Sequence, residues 1–110
     1  MNLPDTQSLR VEQRKITEYL LCPSHMQGCG KAEFFQRFGF RADHWQVLAQ
    51  ALRVHGQAHP VVKVVESAHG VRYTVDGVLD CPDGRKPRVR TIWIADPKGA
   101  PPRLVTAHPV

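Results

Sequence analysis

His25 and Lys31 bracket a glycine-containing loop in the segment Leu21-Cys22-Pro23-Ser24-His25-Met26-Gln27-Gly28-Cys29-Gly30-Lys31-Ala32-Glu33-Phe34-Phe35. A histidine titrates close to neutral pH and can serve as a general acid or base. A lysine beside it can neutralise a phosphate or a phosphorane transition state. Gly-rich loops and helix starts expose backbone N–H groups that suit anions. A lysine at a helix start is disfavoured by the dipole, which gives Lys31 some functional weight. Far along the chain, Arg88, Arg90 and Thr106 fall on strands that could face this loop. Arginine binds phosphate in a bidentate fork, and a threonine hydroxyl can position an oxygen. His108 could pair with His25 as acid and base. Each residue also has a plainer reading: a loop histidine bonding backbone, a solvated lysine, sheet arginines in water, a threonine present for its strand preference, an exposed terminal histidine. Tyr73 reads as a core or cross-strand aromatic.

Metal chemistry is poorly supplied. Cys22, His25 and Cys29 form a C-x2-H-x3-C cluster, and a structural zinc site needs a fourth ligand. Cys81 or His108 could complete it only by a chance of folding, so no metal is expected. His44, His55, His59 and His69 fit no metal spacing and receive no role. The chain has no Walker loop, dinucleotide fingerprint, zinc-protease helix or nucleophile elbow, and no cofactor is expected.

Charge points to a polyanion. Fifteen basic residues stand against ten acidic ones, a net charge of +5. Residues 85–90 read Arg-Lys-Pro-Arg-Val-Arg, so Arg85, Lys86 and Arg88, with Arg103 further on, are candidate RNA contacts. The alternative is a hairpin end kept soluble by charge. Three cysteines, an odd number, and no hydrophobic signal core in residues 1–10 suggest reduced thiols and a cytoplasmic setting. No apolar run approaches the ~20 residues of a membrane span.

These residues need elements to hold them. The length predicts one domain over 1–110. Residues 1–8 read as a loosely ordered lead-in, 9–56 as a helical part and 60–109 as an antiparallel sheet. Leu9, Ile16, Tyr19 and Leu20 make a helical stripe that Pro23 ends. A short helix is expected from about Lys31 to Phe38, with Phe34, Phe35 and Phe38 inward and Gly39 as its stop. Trp45, Leu48, Ala49 and Leu52 mark a third, amphipathic helix opened by Asp43 or Ala42 and closed by Gly56. After Pro60 the period changes to two: Val61 to Ser67, then Val71, Tyr73 and Val75, then Arg88 to Ala95, then Arg103 to His108. His69-Gly70 and Cys81-Pro82-Asp83-Gly84 are turns. Val89, Thr91 and Trp93 should share one face, and Arg88, Arg90, Ile92 and Ile94 the other. Thr106 should share its face with Leu104 and His108. Helices first and hairpins afterwards predict α+β, with two or three helices on one face of a four-stranded antiparallel meander.

Three stretches together carry a resemblance. Lys15-Ile16-Thr17-Glu18-Tyr19-Leu20-Leu21-Cys22-Pro23-Ser24-His25 with Gly30-Lys31-Ala32-Glu33-Phe34-Phe35 resembles the opening "K-L-x-x-Y-L-L-N-P-x-H-P-x-G-x-x-K-A-x-F-F" of a small bacterial domain-of-unknown-function family. Residues 82–93 resemble its "P-D-G-R-x-P-x-V-R-T-x-W", and residues 102–109 its "P-R-L-V-T-A-Y-P". That resemblance implies short stand-alone proteins and C-terminal modules of larger bacterial proteins, including ones that look like polymorphic toxins. More distantly, the last strand is similar to that of the barnase–EndoU–RelE-like ribonucleases. That likeness implies a metal-independent ribonuclease of toxin type that acts through the 2′-hydroxyl. It also implies a small acidic antitoxin or immunity protein as partner. Carried over by position, the catalytic candidates are His25, Lys31, Arg90 and Thr106, with His108 where the family has tyrosine. Cys22 replaces the family asparagine and Met26 the family proline. His108 then either substitutes for the phenol or marks a weakened enzyme. The alternative is a non-catalytic RNA- or protein-binding module, such as the partner in a toxin–antitoxin pair.

Overall fold

Alternation at period two builds the sheet. The computed structural model describes residues 2–22, 24 and 29–110. Strands β1 (Val61–Ser67), β2 (Gly70–Val78), β3 (Arg88–Ala95) and β4 (Arg103–Pro109) pair antiparallel in the order β1-β2-β3-β4. Val89, Thr91 and Trp93 on β3 and Val75 on β2 are fully buried beneath the helices. Arg88, Arg90 and Ile92 alternate onto the opposite, outer face. The turn at Cys81 closes with Gly84 N–H donating to the Cys81 carbonyl at 3.0 Å. Gly84 sits at φ 86, a conformation that disfavours other residues.

The helical layer comprises α1 (Gln13–Lys15), which runs on as a π-helical stretch Ile16–Leu20, then α2 (Cys29–Arg37) and α3 (Trp45–Ala58). The α+β arrangement of helices followed by a meander is as the pattern predicts. Ile16 and Leu20 are fully buried, and Tyr19 is half-buried. Leu9 does not join this helix. It is buried on an extended piece whose neighbour Arg10 forms a parallel bridge with Arg103. Arg10 N–H donates to the Pro102 carbonyl and Leu104 N–H to the Arg10 carbonyl, each at 2.9 Å. The edge of β4 thus satisfies backbone groups that a longer helix would have bonded internally. Within residues 1–8, Leu3 is buried and Thr6–Ser8 forms a 3-10 turn.

Helix α2 begins at Cys29, two residues before the expected start, so Lys31 lies in its first turn. Phe35 is fully buried and packs edge-on against Phe34 and Phe40. The helix ends as predicted at Gly39, φ 100. Phe40 N–H bonds the Phe35 carbonyl and Gly39 N–H the Gln36 carbonyl, the paired bonds of a Schellman ending.

Helix α3 follows a 3-10 turn, Ala42–His44, and buries Leu48, Ala49 and Leu52 completely. Gly56 does not close it. The helix continues to Ala58 and stops before Pro60. A Cβ on Gly56 would come within 2.9 Å of both Leu9 Cδ1 and Trp93 Cζ2. The glycine therefore serves close packing, not helix termination. His55, one residue earlier and given no role above, is also buried, 2 % exposed.

Candidate functional site

Tyr19 is the residue around which candidate groups converge. It lies in the π-helical stretch, whose wider winding shows in Leu21 N–H bonding the Ile16 carbonyl five residues back at 2.8 Å. Such turns are frequent at functional sites. The phenol oxygen reaches Thr106 Oγ1 at 3.2 Å. Lys15 Nζ stands 5.1 Å from the ring centroid and Lys31 Nζ 5.3 Å, both within cation–π range. Partial burial pushes the phenol pKa up. The Thr106 hydrogen bond, together with hydrogen bonding and charge from Lys31 and the charge of Lys15, outweighs that and leaves the pKa below the ordinary tyrosine value.

A β-bulge puts Thr106 in place. The β3–β4 register slips between Ile92 and Trp93, so Leu104 pairs with Trp93 while Thr106 pairs with Ile92. Leu104 consequently turns into the core, 3 % exposed, instead of sharing a face with Thr106. His108 pairs with Arg90 and does share that face. One inserted residue has this effect because strand faces alternate with period two.

Beside Tyr19 a cleft of about 390 Å³ opens between the first helix and β4, lined by Glu12, Arg14, Lys15, Glu18, Arg103 and Leu104. Arg14 and Glu18 pair at 3.1 Å on its exposed rim. Lys15 and Arg103 stand as cations beside the phenol, and Lys31 adds a third charge near the ring.

The other sequence candidates differ in what they touch. Arg90 gives Nε and Nη2 to the two oxygens of Asp76 at 2.7 and 2.8 Å. That fork occupies it as a cross-strand ion pair on the outer face and holds the Asp76 carboxyl below its usual range. His108 Nδ1 bonds the Pro109 carbonyl at 3.0 Å. Arg85 donates to Asp83 at 2.6 Å and to the Arg37 carbonyl at 2.8 Å, and its guanidinium lies 4.2 Å from the Phe38 ring centroid. It pins the β2–β3 loop to the end of α2. Lys86 pairs with Asp80 at 2.9 Å, and Arg88 is exposed. His25 lies outside the described residues, as do Met1, Pro23, Met26, Gln27 and Gly28. Lys31 and Thr106 are thus joined through Tyr19, and His108 with its cross-strand partner Arg90 lies next to Thr106 on the same face of the sheet.

Sequence reasoning treated Tyr19 as one position of an apolar stripe. Its signal was the i, i+4 spacing from Lys15, which sets a cation over a phenol on one helix face. Among the described residues no cluster of three His, Cys, Asp or Glu side chains could hold a metal ion. Cys81 is pushed up to about 11, mainly by burial, which makes it an inert thiol. Among those residues no helix is long and apolar enough to cross a membrane.

The class defined by these elements is an α+β fold of N-terminal helices against a four-stranded antiparallel meander, with a cation-flanked phenol at the β4 edge. The chain belongs to the family described as a domain of unknown function, DUF6883, whose profile matches residues 2–110. No curated protein matches it. Among solved structures, the fold is similar to that of a chain in "Contact-dependent growth inhibition toxin - immunity protein complex from Klebsiella pneumoniae 342". The TM-score is 0.72 at 17% identity, covering 91% of this chain and 98% of that one.

Proposed function

We propose that this protein is a toxin-type, metal-independent ribonuclease whose reaction centre is the cleft at Tyr19. The observation that carries the reading is a phenol of lowered pKa, hydrogen-bonded to Thr106 and flanked by Lys15 and Lys31. In the reaction, the 2′-hydroxyl loses its proton and its oxygen attacks the adjacent phosphorus. The bond from phosphorus to the 5′-oxygen breaks, and that oxygen takes up a proton. The products are a 2′,3′-cyclic phosphate and a 5′-hydroxyl. Tyr19 handles one of the two protons, and His25 or His108 the other. Lys31 and Lys15 offset charge on the phosphorane. Thr106 positions the phenol oxygen. Arg90 retains donors beyond those given to Asp76 and supplies a second phosphate contact. Arg103 and Arg88 add attraction for the RNA backbone. The setting is the cytoplasm, and the partner is a small acidic immunity protein. A fold shared with a chain from a toxin–immunity complex is consistent with this reading.

One observation favours the second reading, a non-catalytic binding module. Arg85, Lys86 and Arg90, all expected to meet RNA, are each in an ion pair within the chain.

The test is purified protein incubated with total tRNA and a defined messenger, followed by end analysis of the fragments. Cleavage leaving cyclic phosphates, lost in a Tyr19→Phe variant that stays folded, supports the enzyme. Intact RNA at stoichiometric protein rejects it in favour of the binding module.

A further inference from the structure

The two edges of the sheet are treated differently. Residues 10 and 103 bridge at β4, so the segment leading into the first helix covers part of that edge. Among the described residues β1 pairs only with β2, and no strand pairs with its other side. Every residue of β1 after Val61 is exposed, including Val62 at 55%, Val64 at 42% and Val65 at 44%. Val64 pairs with Tyr73 on the helix side, and Val65 pairs with Arg72 on the outer side. Valines on both faces therefore meet water. Natural proteins blunt such edges with bulges, charges or covers. Among the described residues, such devices on this edge are a bulge between Val61 and Lys63 and the charges of Lys63 and Glu66.

We infer that β1 is a docking edge for an extended acidic strand from another protein, which adds a fifth strand to the sheet. Backbone pairing along 61–67 would supply affinity, and the alternating side chains would select the occupant. Charge sets the choice. Lys63 pairs with Thr74, so Lys63 and Arg72 are diagonal neighbours on the outer face. Neither forms an ion pair among the described residues, and the chain carries a net charge of +5. An aspartate or glutamate opposite Lys63, flanked by apolar residues over Val64 and Val65, complements that surface.

A second copy of this chain does not. Twofold antiparallel pairing sets same-facing residues opposite one another. Centred on Val64 it opposes Lys63 with Val65, and centred on Val65 it opposes Lys63 with Ser67. Lys63 and Glu66 lie on opposite faces and cannot meet. The docking edge is also three strand spacings, about 14 Å, from β4. A partner held there can be anchored without itself filling the Tyr19 cleft.

The probe is a synthetic nine-residue capped peptide alternating valine and threonine, with two central aspartates. Its counterpart carries lysines in place of the aspartates. Amide exchange and NMR shifts of the wild-type protein are followed during titration with each. The acidic peptide should slow exchange of the 61–67 amides and bind at least ~10-fold more tightly than the basic one. The preference should shrink in high salt and in Lys63→Glu. No protection of 61–67 at millimolar acidic peptide, or equal binding of both peptides, overturns the proposal. So does self-association of the free wild-type chain that Val64→Lys abolishes, because the occupant is then a second copy. RNA cleavage does not enter these readouts, so failure here and failure of the ribonuclease reading are separate results.

Discussion

Two polar networks fasten helices to this sheet, and they are opposites. At the first, His55 Nε2 lies 2.8 Å from the Val89 carbonyl and 3.1 Å from the Gly77 carbonyl. Its Nδ1 lies 3.1 Å from Thr91 Oγ1, which also accepts Trp93 Nε1–H at 2.8 Å. One proton arrangement satisfies every group: the indole donates to Thr91, the hydroxyl to Nδ1, and Nε2–H to the two carbonyls. The network is sealed, with His55 and Thr91 2 % and 0 % exposed. At the second, Tyr19 and Thr106 also join a helical side chain to a strand hydroxyl, but beside an open cleft with lysines around the ring. Burial drives His55 towards its neutral form, whereas the surroundings of Tyr19 favour its anion. A histidine is by type the stronger candidate for acid–base chemistry. Here the histidine is structural and the tyrosine is accessible. Exposure and neighbouring charge, not residue type, separate the two.

The sharpest test of this contrast exchanges stability for activity. Tyr19→Phe should lower RNA cleavage by roughly 10²–10⁴-fold, the range for a general acid or base. Its effect on the urea midpoint should stay within about 1 kcal/mol, because the ring stays in place and the phenol's hydrogen bonding is only half-buried. His55→Ala should do the reverse, costing about 2–4 kcal/mol of unfolding free energy through a cavity and unpaired buried groups. Specific activity of the folded fraction should be unchanged. A catalytic defect in His55→Ala at full folding would break the comparison.

Smaller effects refine it. Gly56→Ala pushes a methyl against Trp93 and Leu9 and should destabilise by about 1–3 kcal/mol, read from thermal melts. The pH dependence of stability isolates the sealed network. Because the folded His55 pKa is lowered, the unfolded chain binds this proton first. Stability is fully present above the unfolded value of about 6.5 and falls as pH drops below it. The decline should begin well above the range, below about 4, where Asp76 loses its bond to Arg90. Urea midpoints between those limits measure it, and Tyr19→Phe should leave the slope alone. The smallest shift sharpens the open network. Lys31→Ala removes a cation that favours the phenolate, so Tyr19 should titrate at higher pH by ultraviolet difference spectroscopy.

Period and punctuation made most of the fold legible before any coordinates. The strands of the meander, the faces of β3 and the glycine ending of α2 follow from side-chain alternation and backbone permissiveness. The misreadings have a common origin. Leu9 matched a helical stripe, yet the open edge of β4 claimed its backbone neighbour. Gly56 matched a helix stop, yet the Trp93 ring accounted for it. Thr106 and Leu104 matched one strand face until a single bulge separated them. In each case a partner distant in sequence overruled a local rule.

By itself, the sequence determined which segments are helical or extended, which stripes are apolar and how much positive charge the chain carries, because these depend on residues a few positions apart. Only the tertiary structure decided that Arg90 is occupied by Asp76, that His55 is sealed in the core, and that Tyr19 meets Thr106 and Lys31. Those outcomes depend on distances between residues far apart in the chain and on where water is excluded. Neither is encoded in the spacing of any one motif.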